Sequence, residues 1–260
     1  MREVAAMKTW KDIGFEIEIT ADGSPSLRLL QSADPAREKG ESMHHSGGAN
    51  AETQIIYSKP ILEVLKNTKN PSFLVVGLGL GYIELCIAKE SLELGKMPQD
   101  IERITSYESV PELKEFFISW LHGQSELHPE VQGTYDLLAN FIIQGTNFSA
   151  EDLKSFLKSH FKVANDIQGA LLEDAIFAYR YNGIMYDAFS SKTTPHLWEE
   201  GFIRRLLLEA SQDNSLFSTY ACRASLKRAL AENEYQVIVR EGFQGKRNST
   251  LGLRGSFKQN

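Results

Sequence analysis

The sequence predicts an α/β fold, a doubly wound and mostly parallel sheet, on three observations. From Phe73 onward, short apolar runs alternate with amphipathic segments, the rhythm of strands joined by covering helices. The first run, in "PSFLVVGLGLGYIEL", breaks into alternating glycines, Gly77, Gly79 and Gly81, which let a backbone turn sharply and approach a ligand before the next helix begins. The second, "RITSYE", ends in Glu108, an acid at a strand tip, where open sheets of this kind gather their ligands.

The elements follow in order. "FEIEITADGSPSLRLLQ" alternates apolar and polar residues on both sides of a turn-forming "ADGSP", the pattern of a β-hairpin appended to the N-terminus. "GANAETQIIYSKPILEVLKN" has helical spacing interrupted by Pro60, so a short helix, a kink and a second helix are expected. Strands follow near 73–76 and 104–107, with helices from Tyr82 and from Pro111. Between 111 and 165 the rhythm lapses into "PELKEFFISWLHG", "GTYDLLANFIIQG" and "SAEDLKSFLKSHF", helical segments whose apolar stripes need the sheet to cover them. The sheet then resumes with "GALLEDA", "GIMYDAFSS", "SLFSTYA" and "YQVIVREG" as strand candidates, and with helices at 196–210 and 223–232.

Composition bounds the function. The chain has 260 residues and is 42% hydrophobic, enough for one sizeable core with additions. No apolar segment approaches the roughly 20 residues that span a bilayer, and "MREVAAMKTWKD" lacks a secretory core, so a cytoplasmic location without a membrane partner is expected. Cys86 and Cys222 stand far apart and read as reduced, packed side chains. The net charge of −6 hides an asymmetry. From Ala221 onward eight basic residues face three acidic ones, so that end carries +5 and the first 220 residues −11. This marks either a solvated basic surface or a local anion-binding face.

The glycine spacing excludes two ligand classes. A dinucleotide fingerprint needs its third glycine at the position held by Tyr82, and no Gly-Lys-Ser/Thr follows for a P-loop. What remains resembles the first motif of class I S-adenosylmethionine-dependent methyltransferases, G-x-G-x-G after a strand. Under that reading Glu108 accepts hydrogen bonds from both ribose hydroxyls, and Asp174 in "LLEDA" accepts from the adenine amino group, with Glu173 as its competitor.

Four further stretches, "ADGSPSL", "MHHSGGANAET", "YDAFSSKTTPHLW" and "STYACRASLKRAL…GFQGKRNSTLG", resemble in order and spacing the methyltransferase module of the bacterial MnmC-type tRNA-modifying enzymes, over residues 19–253. The resemblance implies a Rossmann-like class I methyltransferase fold and S-adenosylmethionine as cofactor. It also implies methylation of the aminomethyl nitrogen on a modified wobble uridine of tRNA, with a separate enzyme supplying the aminomethyl intermediate, because no flavin-dependent oxidase module accompanies these residues. The expected division is an N-terminal hairpin and substrate-side extension at 1–52, then a methyltransferase domain at 53–260 with a helical insertion around 111–165. Asp187 is the expected catalytic residue. Gly77, Gly79, Gly81, Glu108, Asp174 and Glu52 are expected at the cofactor, and His45, Phe189, Trp198, Tyr220, Lys246 and Arg247 at the substrate. The family's fourth-strand motif reads roughly D-x-F-x-P-x-x-N-P-x-x-W, and here Ser191 replaces its first proline and Thr194 its asparagine.

Other readings stand beside this one. Glu52 also suits a plain helix-start acid, and Trp198 a core position. His44 and His45 have no third ligand at metal spacing, so no metal is expected. An aminopropyltransferase of the spermidine-synthase kind presents an amine to a sulfonium on a similar fold, but its fuller set of polyamine-binding acids is not found. A non-catalytic RNA-binding module on the same fold is opposed by the glycines together with Glu108, Asp174 and Asp187.

Overall fold

In the computed structural model, which describes residues 7–31, 40–124, 127–243 and 248–259, six strands form a central sheet and two form a separate hairpin. The hairpin pairs β1 (Phe15–Ile19) with β2 (Pro25–Leu29), Phe15 opposite Leu29 and Ile19 opposite Pro25. Its turn is closed by Asp22, whose Oδ1 accepts from the Ser24 backbone N–H at 3.0 Å, an aspartate bonding its own backbone two residues on. The same turn caps the next helix, α1 (Ala49–Thr53). Gly48 supplies no side-chain cap, and the first three amides donate instead to Thr20 Oγ1, Ser24 Oγ and Asp22 Oδ2 at 3.0, 2.9 and 3.0 Å. The hairpin thus satisfies donors that a helix start leaves open.

The kink expected at Pro60 is replaced by a π turn, Gln54–Ser58, that leads without a break into α2 (Lys59–Asn67). Proline has no N–H for the carbonyl four residues back, which is that of Ile56. Ser218 Oγ donates to it at 2.5 Å and the Arg240 guanidinium at 3.4 Å, so the chain widens by one residue per turn instead of bending away.

The sheet comprises β3 (Ser72–Val76), β4 (Arg103–Tyr107), β5 (Tyr181–Tyr186), β6 (Ser211–Thr219), β7 (Gln236–Arg240) and β8 (Ser249–Arg254), in the order β4-β3-β5-β6-β8-β7. The first four are parallel, and β8 runs antiparallel to both β6 and β7. In β3, Phe73 and Val75 enter one apolar cluster while Leu74 and Val76 enter the other. Both faces are covered, which is why this strand reads as a continuous apolar run.

On one face α3 (Tyr82–Glu93) packs with α4 (Pro111–His122), α5 (Pro129–Ile143) and α6 (Ala150–Lys158); on the other lie α7 (Glu200–Ala210) and α8 (Ala224–Glu232). Helices α4–α6 share α3's core. Trp10, from ahead of the hairpin, is fully buried among them, 5.4 Å from Phe116 and 5.9 Å from Tyr135, with its indole N–H donating to Thr134 at 3.0 Å.

Two further expectations are corrected. "GALLEDA" is not a strand: beside edge strand β4 only Gln168 pairs, donating to Ser106 O and accepting from Glu108 N–H. The chain then turns, with Leu172, Glu173 and Asp174 exposed, because this acidic segment has no further strand to lie against. The helix expected from 196 starts at Glu200, after a 3₁₀ turn at Pro195–Trp198.

Candidate active site

The ends of β3, β4 and β5 meet at the glycine turn. Gly77 and Leu78 N–H donate to Tyr107 O, each at 3.1 Å, and Asp187 N–H donates to Val76 O at 2.8 Å. The three glycines do different things. Gly77 has φ +95°, and a Cβ there would lie 2.5 Å from the carbonyl oxygen of Asp187. Gly79 has φ +54° and faces only the Met43 thioether, 3.2 Å from such a Cβ. Gly81 begins α3 at φ +80° and seats the Phe117 ring, 2.4 Å from a Cβ, so its job is packing. Gly77 and Gly79 border a cavity of about 550 Å³; Gly81 does not.

Glu108 stands at the rim of β4, buried, with Oε2 accepting from Gly79 N–H at 3.0 Å and Oε1 from Val110 N–H at 2.9 Å. Burial pushes its carboxyl above the usual range, against those backbone donors, which act to lower it. Glu52, one turn into α1, accepts from His45 N–H at 2.8 Å, and burial raises its carboxyl too. Asp187, just past β5, accepts from the Tyr57 hydroxyl at 2.6 Å, and burial pushes its carboxyl up to about 7, against that hydrogen bond and with the Glu52 charge adding to the rise.

Four carboxylates, of Glu41, Glu52, Glu108 and Asp187, line the cavity against one guanidinium, of Arg28, among the described residues. Arg28 is already paired with Glu18 at 2.5 Å. His44 is neutral, pushed down to about 4 by burial, its ring 4.6 Å from that of Tyr82. The result is an acidic, aromatic chamber that suits a cationic ligand. The open backbone beside Gly79 and the Glu108 carboxylate fit a sulfonium nucleoside: one admits close approach, the other accepts hydroxyl hydrogen bonds.

The loop after Asp187 is held largely through its own carbonyls. Phe189 O accepts from Thr194 Oγ1 at 2.8 Å and from the Trp198 indole at 2.6 Å, and Ala188 O accepts from the Tyr220 hydroxyl at 2.9 Å. Glu41 adds a clamp from the N-terminal side, accepting from Ser190 N–H and Oγ at 2.9 Å and from Thr193 Oγ1 at 2.7 Å.

The cavity therefore brings together Glu52, Gly77, Gly79, Glu108, Asp187, His45, Phe189 and Tyr220. Trp198 is not among its lining residues; it is buried behind the wall, edge-on to Tyr186 and Tyr220 at 5.3 and 5.9 Å. Asp174 is also elsewhere, on a separate surface pocket with Arg205 and Glu209, because the strand expected to deliver it does not form; Ala170 and Leu171 reach the cavity from that segment. Lys246 and Arg247 lie outside the described residues. Tyr57, Glu41 and Phe243 were not singled out from sequence. Neither Tyr57 nor Glu41 carried a local signal, since each meets its partner from far along the chain.

Behind the turn, Glu84 of α3 is fully buried, with one oxygen accepting from Ser106 Oγ at 2.6 Å and the other without a hydrogen-bond partner. Burial pushes it up to about 8. The native state therefore holds a proton that the unfolded chain releases near its ordinary pKa of about 4.3, and stability falls as pH rises through that window toward 8. Glu84→Gln is expected to raise the melting temperature more at pH 8.5 than at pH 5. An equal change at both values contradicts the assignment.

Residues 136–255 match the family of S-adenosyl-L-methionine-dependent methyltransferases. A relative from Methanocaldococcus jannaschii, an uncharacterized protein, is 21% identical over 255 residues, covering 93% of this chain, and the chain spans 60% of that relative's length. Among solved structures, MnmC2 from Aquifex aeolicus superposes with a TM-score of 0.57 at 21% identity, over 95% of this chain and 71% of that one, a likeness that shows the fold. Spermidine synthase from Thermotoga maritima gives a TM-score of 0.46 at 13% identity, over 99% of this chain and 84% of that one, too low to bear on function. No helix among the described residues is long and apolar enough to cross a membrane. The doubly wound sheet with its glycine turn is thus a Rossmann-like α/β fold of the kind that MnmC2 has, and its residues 136–255 are similar to S-adenosyl-L-methionine-dependent methyltransferases.

Proposed function

We propose that the protein methylates an aliphatic amine, the aminomethyl group of a modified wobble uridine in tRNA. The observation that carries this is Asp187: a carboxylate at the C-terminal end of β5, beside the glycine turn and in a cavity whose one arginine among the described residues is already paired. A carboxylate so placed attracts an ammonium. Bound S-adenosylmethionine supplies the electrophilic methyl group, with Gly77, Gly79, Glu108 and Glu52 as the residues that would hold it.

The chain's own part is to bind and orient the amine. A free alkylamine resembles lysine, with a pKa of about 10.4, and arrives mostly protonated. Asp187 holds the ammonium, fixes the nitrogen in line for attack, and takes up its proton directly or through water. A carboxyl raised to about 7 is a far better acceptor than an ordinary aspartate. Phe189, Tyr220 and His45 wall the substrate side. The resemblance supports tRNA as the molecule that carries the amine, with a separate enzyme making the aminomethyl group and the cytoplasm as the place of action.

Mass spectrometry of tRNA nucleosides from cells lacking the protein tests this: the unmethylated aminomethyl nucleoside accumulates if the proposal holds, and an unchanged nucleoside profile refutes it. Lys246 and Arg247 are proposed to contact phosphates. Replacing both with alanine should weaken tRNA binding and reduce the salt slope, log K against log [salt], by about 2, with cofactor affinity unchanged. Equal tRNA affinity and slope in wild type and double variant rule the contact out.

A further inference from the structure

The π turn at Gln54–Ser58 lies in the middle of a helical run, and such turns are concentrated at functional sites. Three observations converge on one of its residues. Tyr57 is 3% exposed, borders the cavity, and donates its hydroxyl to Asp187 Oδ1 at 2.6 Å, with Tyr186 O a distant second acceptor at 3.4 Å. The residue before it, Ile56, has its carbonyl released by Pro60 and caught by Ser218 and Arg240, which fixes the turn against β6 and the end of β7. The hairpin's side chains cap the start of the same run. Both ends of the segment that carries Tyr57 are therefore anchored, and the phenol has little freedom to turn away.

We propose that Tyr57 is the positioning residue for Asp187: the anchored π turn aims its hydroxyl at one carboxylate oxygen, leaving the other to face the substrate nitrogen. The inference rests on the reading of Asp187 given above. A phenol can serve in this way only while it keeps its proton, and burial with the neighbouring Asp187 charge holds Tyr57 far above the ordinary tyrosine range. It remains a donor at every pH at which the protein works. The donated bond favours the ionised carboxylate, opposing the burial that raises Asp187. Glu52 of α1, Tyr220 past β6 and Glu84 of α3 also couple electrostatically to Asp187, and Arg240 couples to Tyr57; none of these donates a hydrogen bond to that carboxylate.

The test is Tyr57→Phe, which keeps the ring and removes the donor. Protein labelled with ¹³C at aspartate carboxyls, with Asp187→Asn to identify the resonance, is titrated by NMR. The Asp187 midpoint is expected to rise by about one pH unit, a tenfold change in proton affinity. The acid limb of single-turnover methylation should move by the same amount, and its plateau should fall about tenfold or more, because a freely rotating carboxylate holds the nitrogen less well. S-adenosylmethionine affinity within about twofold of wild type confirms an intact fold. An unmoved midpoint in the folded variant overturns the proposal. A moved midpoint in a protein whose wild type methylates no aminomethyl-tRNA keeps the pair and discards the substrate reading instead.

Discussion

Asp187→Ala is expected to bind S-adenosylmethionine and tRNA yet to lose at least a hundredfold in single-turnover methylation, the scale on which a positioned proton acceptor contributes. The substitution removes the carboxylate without disturbing the turn, since the contact that ties position 187 to β3 is its backbone N–H. Asp187→Asn should show a similar defect with the Tyr57 bond kept, because its amide oxygen still accepts. The pH dependence has a definite sign. Below about 7 the wild-type carboxyl is protonated and neither attracts an ammonium nor takes a proton; above it the rate rises to a plateau. Asp187→Asn should lack that limb. It should also gain stability above pH 7, because a carboxyl raised in the native state costs stability as pH climbs from its unfolded pKa through its folded one. Wild-type rates in Asp187→Ala would remove the residue from the chemistry.

The other large effect is expected at Gly77. A methyl group there collides with main chain, the Asp187 carbonyl 2.5 Å away, in a conformation that L-residues rarely adopt. Left-handed strain costs about 1–2 kcal/mol and overpacking about 1–3 kcal/mol. Gly77→Ala should therefore lower the urea midpoint by an amount equivalent to about 2–5 kcal/mol and abolish cofactor binding by calorimetry, since relieving the clash parts β3 from β5 at the cavity. Gly79→Ala should be milder, because its added carbon meets a methionine side chain that can shift. Wild-type affinity and midpoint in Gly77→Ala would show that the turn does not depend on glycine at this position.

The fold was largely legible because its signals are local. The alternation in the hairpin, the apolar run of β3 and the glycines that end it each follow from a few adjacent residues. The strand β8 went unrecognised because "STLGLR" is short and interrupted by Gly252, whose missing Cβ makes room for Leu230 and Tyr235. The strand assigned to "GALLEDA" failed for the complementary reason: its composition allows a strand, but pairing stops after Gln168. Of the residues named from motifs, Glu108 and Asp187 lie on the cavity. Tyr57 and Glu41 were not named, since each acts through a partner more than 125 positions away in sequence, and no local pattern records such a meeting. Trp198 was legible as a motif residue, but whether an indole faces a cavity or the core behind it depends on packing that spacing does not contain.

The loop that follows Asp187 bears on how such a site diverges. Its principal ties run to the carbonyls of Ala188 and Phe189, groups that every residue type possesses. Mutational drift at 188–191 therefore leaves those acceptors in place, and a proline can give way to Ser191 while Asp187 stays on station. Side chains on this wall of the cavity can therefore change one at a time while the main-chain ties that hold the loop persist.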